Sequence, residues 1–289
     1  MLDIRRLNKK YKNGFELRDI SLHLNPGDFT VLFGADDSGK TALIYHILGL
    51  HHFSKGEILL DGRSLLRLTD EERKELRFVP DSICDEPITV REYFATVAMM
   101  YAEYDAEDAE DLCEYFGLNI DKKLSEMPHN DNKLAMIIGA MVTGSKLLIL
   151  DEPMNFLTKE STVKLLEFLK YLASRGMTIL ITSEHAANVK DYCSHYLYLQ
   201  NGTITHQGAM TEMFHSRKAV TIKGGNISMA QSLLGTPVAK TGDSMTYLFN
   251  AKTQGHSLTE ILGLIEPQDL QVRDLSLEEV LNKDYTRWI

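Results

Sequence analysis

One stretch, FTVLFGADDSGKTALIYHIL from Phe29 to Leu48, constrains the rest of the chain more than any other. A run rich in aromatic and β-branched residues (Phe29 to Phe33) breaks at Gly34, and an amphipathic helical pattern begins near Lys40. That spacing predicts strand, loop, helix. The octet between, GADDSGKT, fits the phosphate-loop pattern GxxxxGK(S/T), with Gly34, Gly39, Lys40 and Thr41 at the required places. Glycine lets the backbone turn tightly and approach an anion, the loop N–H groups point inward, and the helix N-terminus adds its dipole. Gly34, Ala35, Asp36, Asp37, Ser38, Gly39, Lys40, Thr41 and Ala42 are therefore candidate nucleotide-binding residues. Lys40 is expected to reach the β and γ phosphates, and the Thr41 hydroxyl suits a hard cation such as Mg²⁺. Two acids beside a polyphosphate repel it, so Asp36 and Asp37 are expected to point outward.

Composition narrows the class. The 289 residues suffice for one large core or two ordinary domains, and 44% hydrophobic with 25% charged residues describes a globular chain. A net charge of −10 argues against nonspecific binding to nucleic acid or anionic lipid through a broad basic face. The longest uncharged apolar run, Leu134 to Val142, is far too short to span a bilayer. Met1 leads directly into a strand-like LDIRRL, from which no signal peptide is expected. Cys84, Cys113 and Cys193 are odd in number and widely spaced, the pattern of free thiols in a reducing cytosol. His51 and His52 are expected on a solvated turn rather than around a metal.

Along the chain, strands are expected at Leu2 to Asn8, Phe15 to Leu24, Gly56 to Gly62 and Leu76 to Val79, with a turn at Lys12 to Gly14. Tyr11 beside that turn reads, from composition, as strand packing. Residues 86–142 form a helical insertion, with helices at Val90 to Tyr104 and Ala106 to Phe116. The next strand, in LLILDEP at Leu147 to Pro153, has four consecutive apolar residues, as suits a parallel strand buried on both faces. Asp151 and Glu152 emerge at its carboxyl end, where ligands bind in open α/β sheets. Beside a phosphate loop, Asp151 is expected to hold Mg²⁺ and Glu152 to polarise the attacking water.

A helix at Ser161 to Ser174, a strand at Thr178 to Ile181 and a hairpin at Tyr196 to Gly208 complete a first domain of residues 1–215. Residues 216–289 read as a small α+β domain of order βαββαβ. Its strands are expected at Ala219 to Lys223, Pro237 to Lys240, Ser244 to Asn250 and Leu270 to Asp274. Helices are expected at Met229 to Leu234 and Ser257 to Leu264, followed by a last one over Leu277 to Leu281.

On Phe29 to Leu48 and Leu147 to Pro153 the chain resembles the ATP-binding subunits of ABC transporters, across roughly residues 1–215. The resemblance implies an α/β P-loop NTPase of ABC ATPase type, with an antiparallel β subdomain and a helical subdomain. It implies ATP and Mg²⁺ as ligands, ATP hydrolysis as the activity, and two ATP molecules buried between two nucleotide-binding subunits. It also implies a separate transmembrane permease and a peripheral place on the cytoplasmic face of the membrane. NGTI near residue 201 and DLSLEEVL near the C-terminus look like those of peptide, lipid or antibiotic exporters. Tyr11 matches the aromatic that stacks on adenine in that family. Asp81, in FVPDS, stands where the family has a glutamine that touches Mg²⁺ or its water.

Other motifs are eroded. The family signature LSGGQ, which grips the partner subunit's γ phosphate, falls on MPHND, Met127 to Asp131, and proline has no N–H to offer. The switch histidine falls on Glu184, with His185 one place later, and Thr158 stands for the family aspartate after the Glu152 loop. A good first half and a poor second half favour a heterodimer with a second ATP-binding subunit over a homodimer. The other class of reading is a regulatory subunit that binds nucleotide with little hydrolysis, and retention of Glu152 weighs against it.

Overall fold

The computed structural model describes residues 1–184, 189–211, 217–250 and 255–275. These fall into two compact units, the first running to Gln207 and the second starting at Gly208, ahead of the boundary expected at 215.

The first unit is built on two sheets. β1 (Leu2–Lys10) and β2 (Glu16–Leu24) lead to β3 (Phe29–Phe33), which runs into α1 (Lys40–Ile47). β4 (Lys55–Leu60), β5 (Arg63–Ser64), the short α2 (Asp70–Arg73) and β6 (Leu76–Val79) follow. After α3 (Val90–Met100), α4 (Ala106–Phe116) and α5 (His129–Met141) come β7 (Leu147–Leu150), α6 (Lys159–Ser174), β8 (Thr178–Ser183), β9 (His195–Gln200) and β10 (Thr203–Ala209). One sheet has the order β2-β1-β4-β5, with β1 antiparallel to both neighbours. The other has the order β10-β9-β3-β8-β7-β6, and β9-β3-β8-β7-β6 run parallel.

Burial explains the split. Every residue of β3, β7 and β8 is buried, as strands covered on both faces require. β2 instead alternates, burying Leu17, Ile20, Leu22 and Leu24. Those side chains share a core with Leu2, Ile4 and Leu7 of β1, Leu43, Ile44 and Ile47 of α1, and Leu32 of β3. Helix α1 is thereby fixed against both sheets, and the loop that precedes it is held at the carboxyl ends of the parallel strands.

The helical insertion starts on a capping box at Thr89 and Glu92. Its first helix ends at Met100 rather than at Tyr104, because Tyr101 turns extended (φ −128°) and Asp105 caps the next helix. Likewise α6 starts at Lys159, two residues before the expected Ser161, because the Thr158 hydroxyl accepts from the Ser161 N–H as its N-cap.

In the second unit β11 (Arg217–Lys223), α7 (Ile227–Leu234), β12 (Ala239–Thr241), β13 (Ser244–Asn250), α8 (Leu258–Ile265) and β14 (Asp269–Asp274) follow in the order βαββαβ. Its antiparallel sheet runs β12-β13-β11-β14. Val220, Ile222, Tyr247 and Phe249 pack on Ala230, Leu234, Ile261 and Ile265 of the helices. The helix expected over Leu277 to Leu281 lies outside the described residues.

Candidate nucleotide site

The loop between β3 and α1 lines a cavity of about 560 Å³, together with Asp81, Asp151, Glu152, Asn13 and Phe15. Glycine is needed at both ends of the loop. A Cβ at Gly34 would lie 2.3 Å from Ser38 Oγ and 2.7 Å from the Leu199 carbonyl; at Gly39 (φ +106°) it would lie 2.5 Å from the Phe15 ring. Asp37 also adopts the left-handed region, at φ 59°, which aspartate tolerates better than most residues. Ala35, Asp36 and Asp37 are exposed at the rim, so the two acids face solvent as expected while still lining the mouth.

Lys40 and the acids form one connected cluster. Lys40 is buried and donates to the carbonyls of Gly34 (2.7 Å) and Ala35 (3.3 Å), with Glu152 Oε1 3.3 Å away. Thr41 Oγ1 donates to Asp151 Oδ2 (2.8 Å). On the other side Thr182 Oγ1 donates to Asp151 Oδ1 (2.7 Å) and accepts from the Glu152 N–H (2.7 Å). Burial pushes the Glu152 carboxyl above the usual carboxylate range; Lys40 opposes this, and the like charges of Glu184 and Asp151 add to it. Asp81 accepts from Asn155 Nδ2 (2.8 Å), so the loop after Glu152 reaches across to it.

Two observations fit a polyphosphate here. Ser38 Oγ is buried without a hydrogen-bond partner inside the loop, and the Lys40 ammonium is confined beside it. Among the described residues no group of three or more His, Cys, Asp or Glu is placed to hold a metal. Thr41 and Asp151 nonetheless supply the oxygen donors that Mg²⁺ takes when phosphates and waters complete its shell.

Tyr11 packs, as its composition suggests, and does not line the cavity as the resemblance implies. Its hydroxyl is 2.9 Å from Nε2 of the buried His46 and 3.4 Å from His51 Nδ1, and its ring packs on the core, outside the cavity. His51 is accordingly half-buried in an aromatic cluster rather than solvated. The turn at Lys12 to Gly14 then carries Phe15 to the cavity wall beside Gly39. Glu184 is half-exposed and close enough to act on Glu152, and His185 lies outside the described residues.

MPHND occupies the start of α5. Pro128 is its N-cap, with no side-chain cap bond. The His129 ring meets Phe156 edge-on at 5.5 Å, and Asn130 Oδ1 accepts from the Thr158 N–H (2.9 Å).

Thr182, Phe15 and Asn155 belong to no motif that the sequence displays. A threonine inside the buried run TILIT is the available signal for the first, since a polar side chain on a covered strand needs a partner.

A phosphate loop at the carboxyl ends of a parallel sheet, with a Lys, a Thr and two acids converging on it, defines a P-loop ATPase cassette. Residues 17–155 match the family model described as ABC transporter. The matched residues, which hold the phosphate loop, Asp81, Asp151 and Glu152, form a nucleotide-binding ATPase domain of the ABC transporter type. It is 26% identical over 221 residues to the ABC-type transporter ATP-binding protein EcsA of Bacillus subtilis, covering 74% of this chain and 89% of that one. It is also 26% identical over 225 residues to the ribose import ATP-binding protein RbsA of Caldanaerobacter subterraneus, but spans only 45% of that protein's length. An ATP-binding subunit of an ABC transporter superposes with a TM-score of 0.68 at 20% identity, over 92% of this chain and 99% of that one. A bacterial ABC transporter cassette solved as a dimer gives 0.64 at 19% identity, over 73% and 99%. Among the described residues no helix is long and apolar enough to cross a membrane.

Proposed function

We propose that this chain powers a separate membrane permease as one half of an asymmetric pair of ATP-binding subunits, on the cytoplasmic face of the membrane. The observation that carries this reading is the Lys40, Thr41, Asp151, Glu152 cluster, complete for ATP, set against a start of α5 with Pro128 as cap. Export of a peptide-, lipid- or antibiotic-like compound is the direction supported by NGTI and DLSLEEVL, and the residues that choose the compound belong to the permease.

Mg²⁺, when bound, would neutralise charge that develops between the β and γ phosphates. The chain's own residues divide the remaining work. Backbone N–H groups from Ala35 to Thr41 and the Ser38 hydroxyl would hold the phosphates, and Phe15 rather than Tyr11 offers a ring for the base. Lys40 without nucleotide sits 3.3 Å from Glu152. Drawn onto the phosphates, it releases a carboxylate whose affinity for protons is already raised, and Glu152 then accepts the proton of the attacking water.

The test is ATP turnover by the purified chain across protein concentrations, alone and with a candidate second subunit, with Glu152→Gln as control. The reading expects ATP binding, little turnover alone, and turnover restored by the partner and abolished by Glu152→Gln. Turnover that rises faster than linearly for the chain alone would establish a homodimer instead. Binding without turnover under every pairing would favour the regulatory reading, which the altered MPHND turn supports.

A further inference from the structure

Helix α5 carries two neighbouring buried polar side chains that the ATP chemistry above leaves without a task. Asn132 is 1% exposed and Lys133 is 0% exposed. The residues that follow, Leu134, Ala135, Ile137 and Ile138, are the apolar ones expected of a core helix. An apolar side chain of Lys133's length would fill the same space without the desolvation of an ammonium. Both polar groups instead reach one segment, the irregular stretch between β6 and α3. Lys133 Nζ donates to the Pro80 carbonyl. Asn132 Oδ1 accepts from the Cys84 N–H (2.9 Å), and its Nδ2 donates to the carbonyls of Cys84 (2.6 Å) and Leu124 (2.8 Å).

The anchors at Pro80 and Cys84 bracket Asp81, which lines the ATP cavity and takes a hydrogen bond from Asn155 in the loop after Glu152. A path thus runs from that loop by a hydrogen bond to Asp81, along the covalent backbone to Pro80 and Cys84, and by hydrogen bonds again to Asn132 and Lys133 of α5. Burial lowers the Lys133 pKa to about 8, while the charges of Asp81, Asp151 and Glu152 act in the opposite direction, placing its ammonium within the field of the site acids.

We propose that Asn132 and Lys133 are positioning residues that clamp the Asp81 segment to α5, so that filling the ATP site changes the start of α5, where MPHND lies. This rests on the ATP-binding reading above. Neither residue touches nucleotide; both act through Asp81.

The experiment is hydrogen exchange of the full chain, with and without Mg-ATP, read on peptides covering the phosphate loop and the first turns of α5. Wild-type protein is expected to slow in both peptides, by about threefold or more in α5. In Lys133→Met the phosphate loop should still slow and the ATP Kd stay within about threefold, while the response of α5 is lost. Where Lys133→Met melts too low to assay, Asn132→Asp decides, since it keeps an acceptor for Cys84 and removes both donors. A merely structural role would lower the melting temperature and leave the α5 response in place. That outcome, or a wild-type α5 unmoved while the loop is protected, overturns the clamp. A wild-type loop that ATP does not protect overturns the ATP reading itself.

Discussion

Thr182→Val removes one hydroxyl and nothing else of consequence, because the two side chains have nearly the same shape. In the wild-type fold that hydroxyl makes two short contacts, donating to Asp151 Oδ1 and accepting from the Glu152 N–H, both at 2.7 Å. Thr182 is fully buried and Asp151 only 3% exposed, so water cannot easily take its place. Each buried group left without a partner costs about 1–3 kcal/mol, which gives about 2–6 kcal/mol for the pair. For a unit of this size that is a fall in Tm of roughly 4 to 24 °C. Function should suffer separately, because Glu152 sits at φ 42°, a strained backbone angle that the Thr182 bond helps to hold. A carboxylate displaced by about 1 Å from its working position costs on the order of 100-fold in kcat. The assay pairs thermal melting with ATP turnover in the presence of the proposed second ATP-binding subunit. Thr182→Ser serves as control, keeping the hydroxyl and losing only a methyl, worth about 1 kcal/mol. Equal melting of the valine variant and wild type, or equal loss in the serine and valine variants, would refute the reasoning.

Other predictions concern the rim of the site and its support. Phe15→Ala should weaken ATP binding about tenfold, on the scale of one base stacked on a ring, while Tyr11→Phe leaves it unchanged; nucleotide titration measures both. Asp37→Gly relieves a left-handed aspartate and removes a charge beside the phosphates. ATP affinity should rise about threefold or more at low ionic strength, with the gain shrinking in roughly 0.5 M salt as the charge is screened. His46 is buried, and its pKa lies below the usual 6.5, chiefly through burial, with His51, Lys9 and His52 adding unfavourable charge. As pH falls below about 6.5 the unfolded chain takes a proton that the folded chain resists. The stability this contributes is full above the unfolded value and declines towards acid; urea midpoints compared at about pH 7.5 and about pH 5 should fall less in His46→Gln than in wild type.

Elements with a strong local pattern are legible in the sequence itself. The bounds of β3, β6, α4 and β13 coincide with those expected, since each is a short run of one periodicity bounded by a clear break. The phosphate loop is legible too, because glycine, lysine and threonine at that fixed spacing, between a strand and a helix, seldom serve anything but an anion. What the sequence hides is side-chain choice across long separations. Tyr11 and Phe15 are both aromatic, close together in the chain and packed against the same core, yet Tyr11 bonds the buried His46, 35 positions away, while Phe15 lines the cavity. Thr182 lies 31 residues from Asp151, and Lys133 lies 53 from Pro80. Pairings of that range follow from the order of strands in the sheet, which no local window contains.

On the proposed reading, the same contacts would make a second copy of this chain a poor partner for its own ATP site. A helix N-terminus holds a phosphate with free N–H groups and small, donor-bearing side chains. At the start of α5, Pro128 contributes no N–H and Asp131 places a carboxylate in the first turn. Asn130 is already engaged within the chain at both ends of its amide, its Oδ1 with Thr158 and its Nδ2 with Asp131. On the proposed reading, replacing Pro128→Ser, His129→Gly and Asn130→Gly together should supply what is missing. The triple variant alone should gain turnover about tenfold or more, with a rate that climbs more steeply than protein concentration, as a second-order encounter requires. Its gain should vanish with Glu152→Gln, which keeps the fold but removes the base. A triple variant that binds ATP yet stays as slow as wild type would show that this turn is not what limits the chain, and the argument for an asymmetric pair would lose its footing.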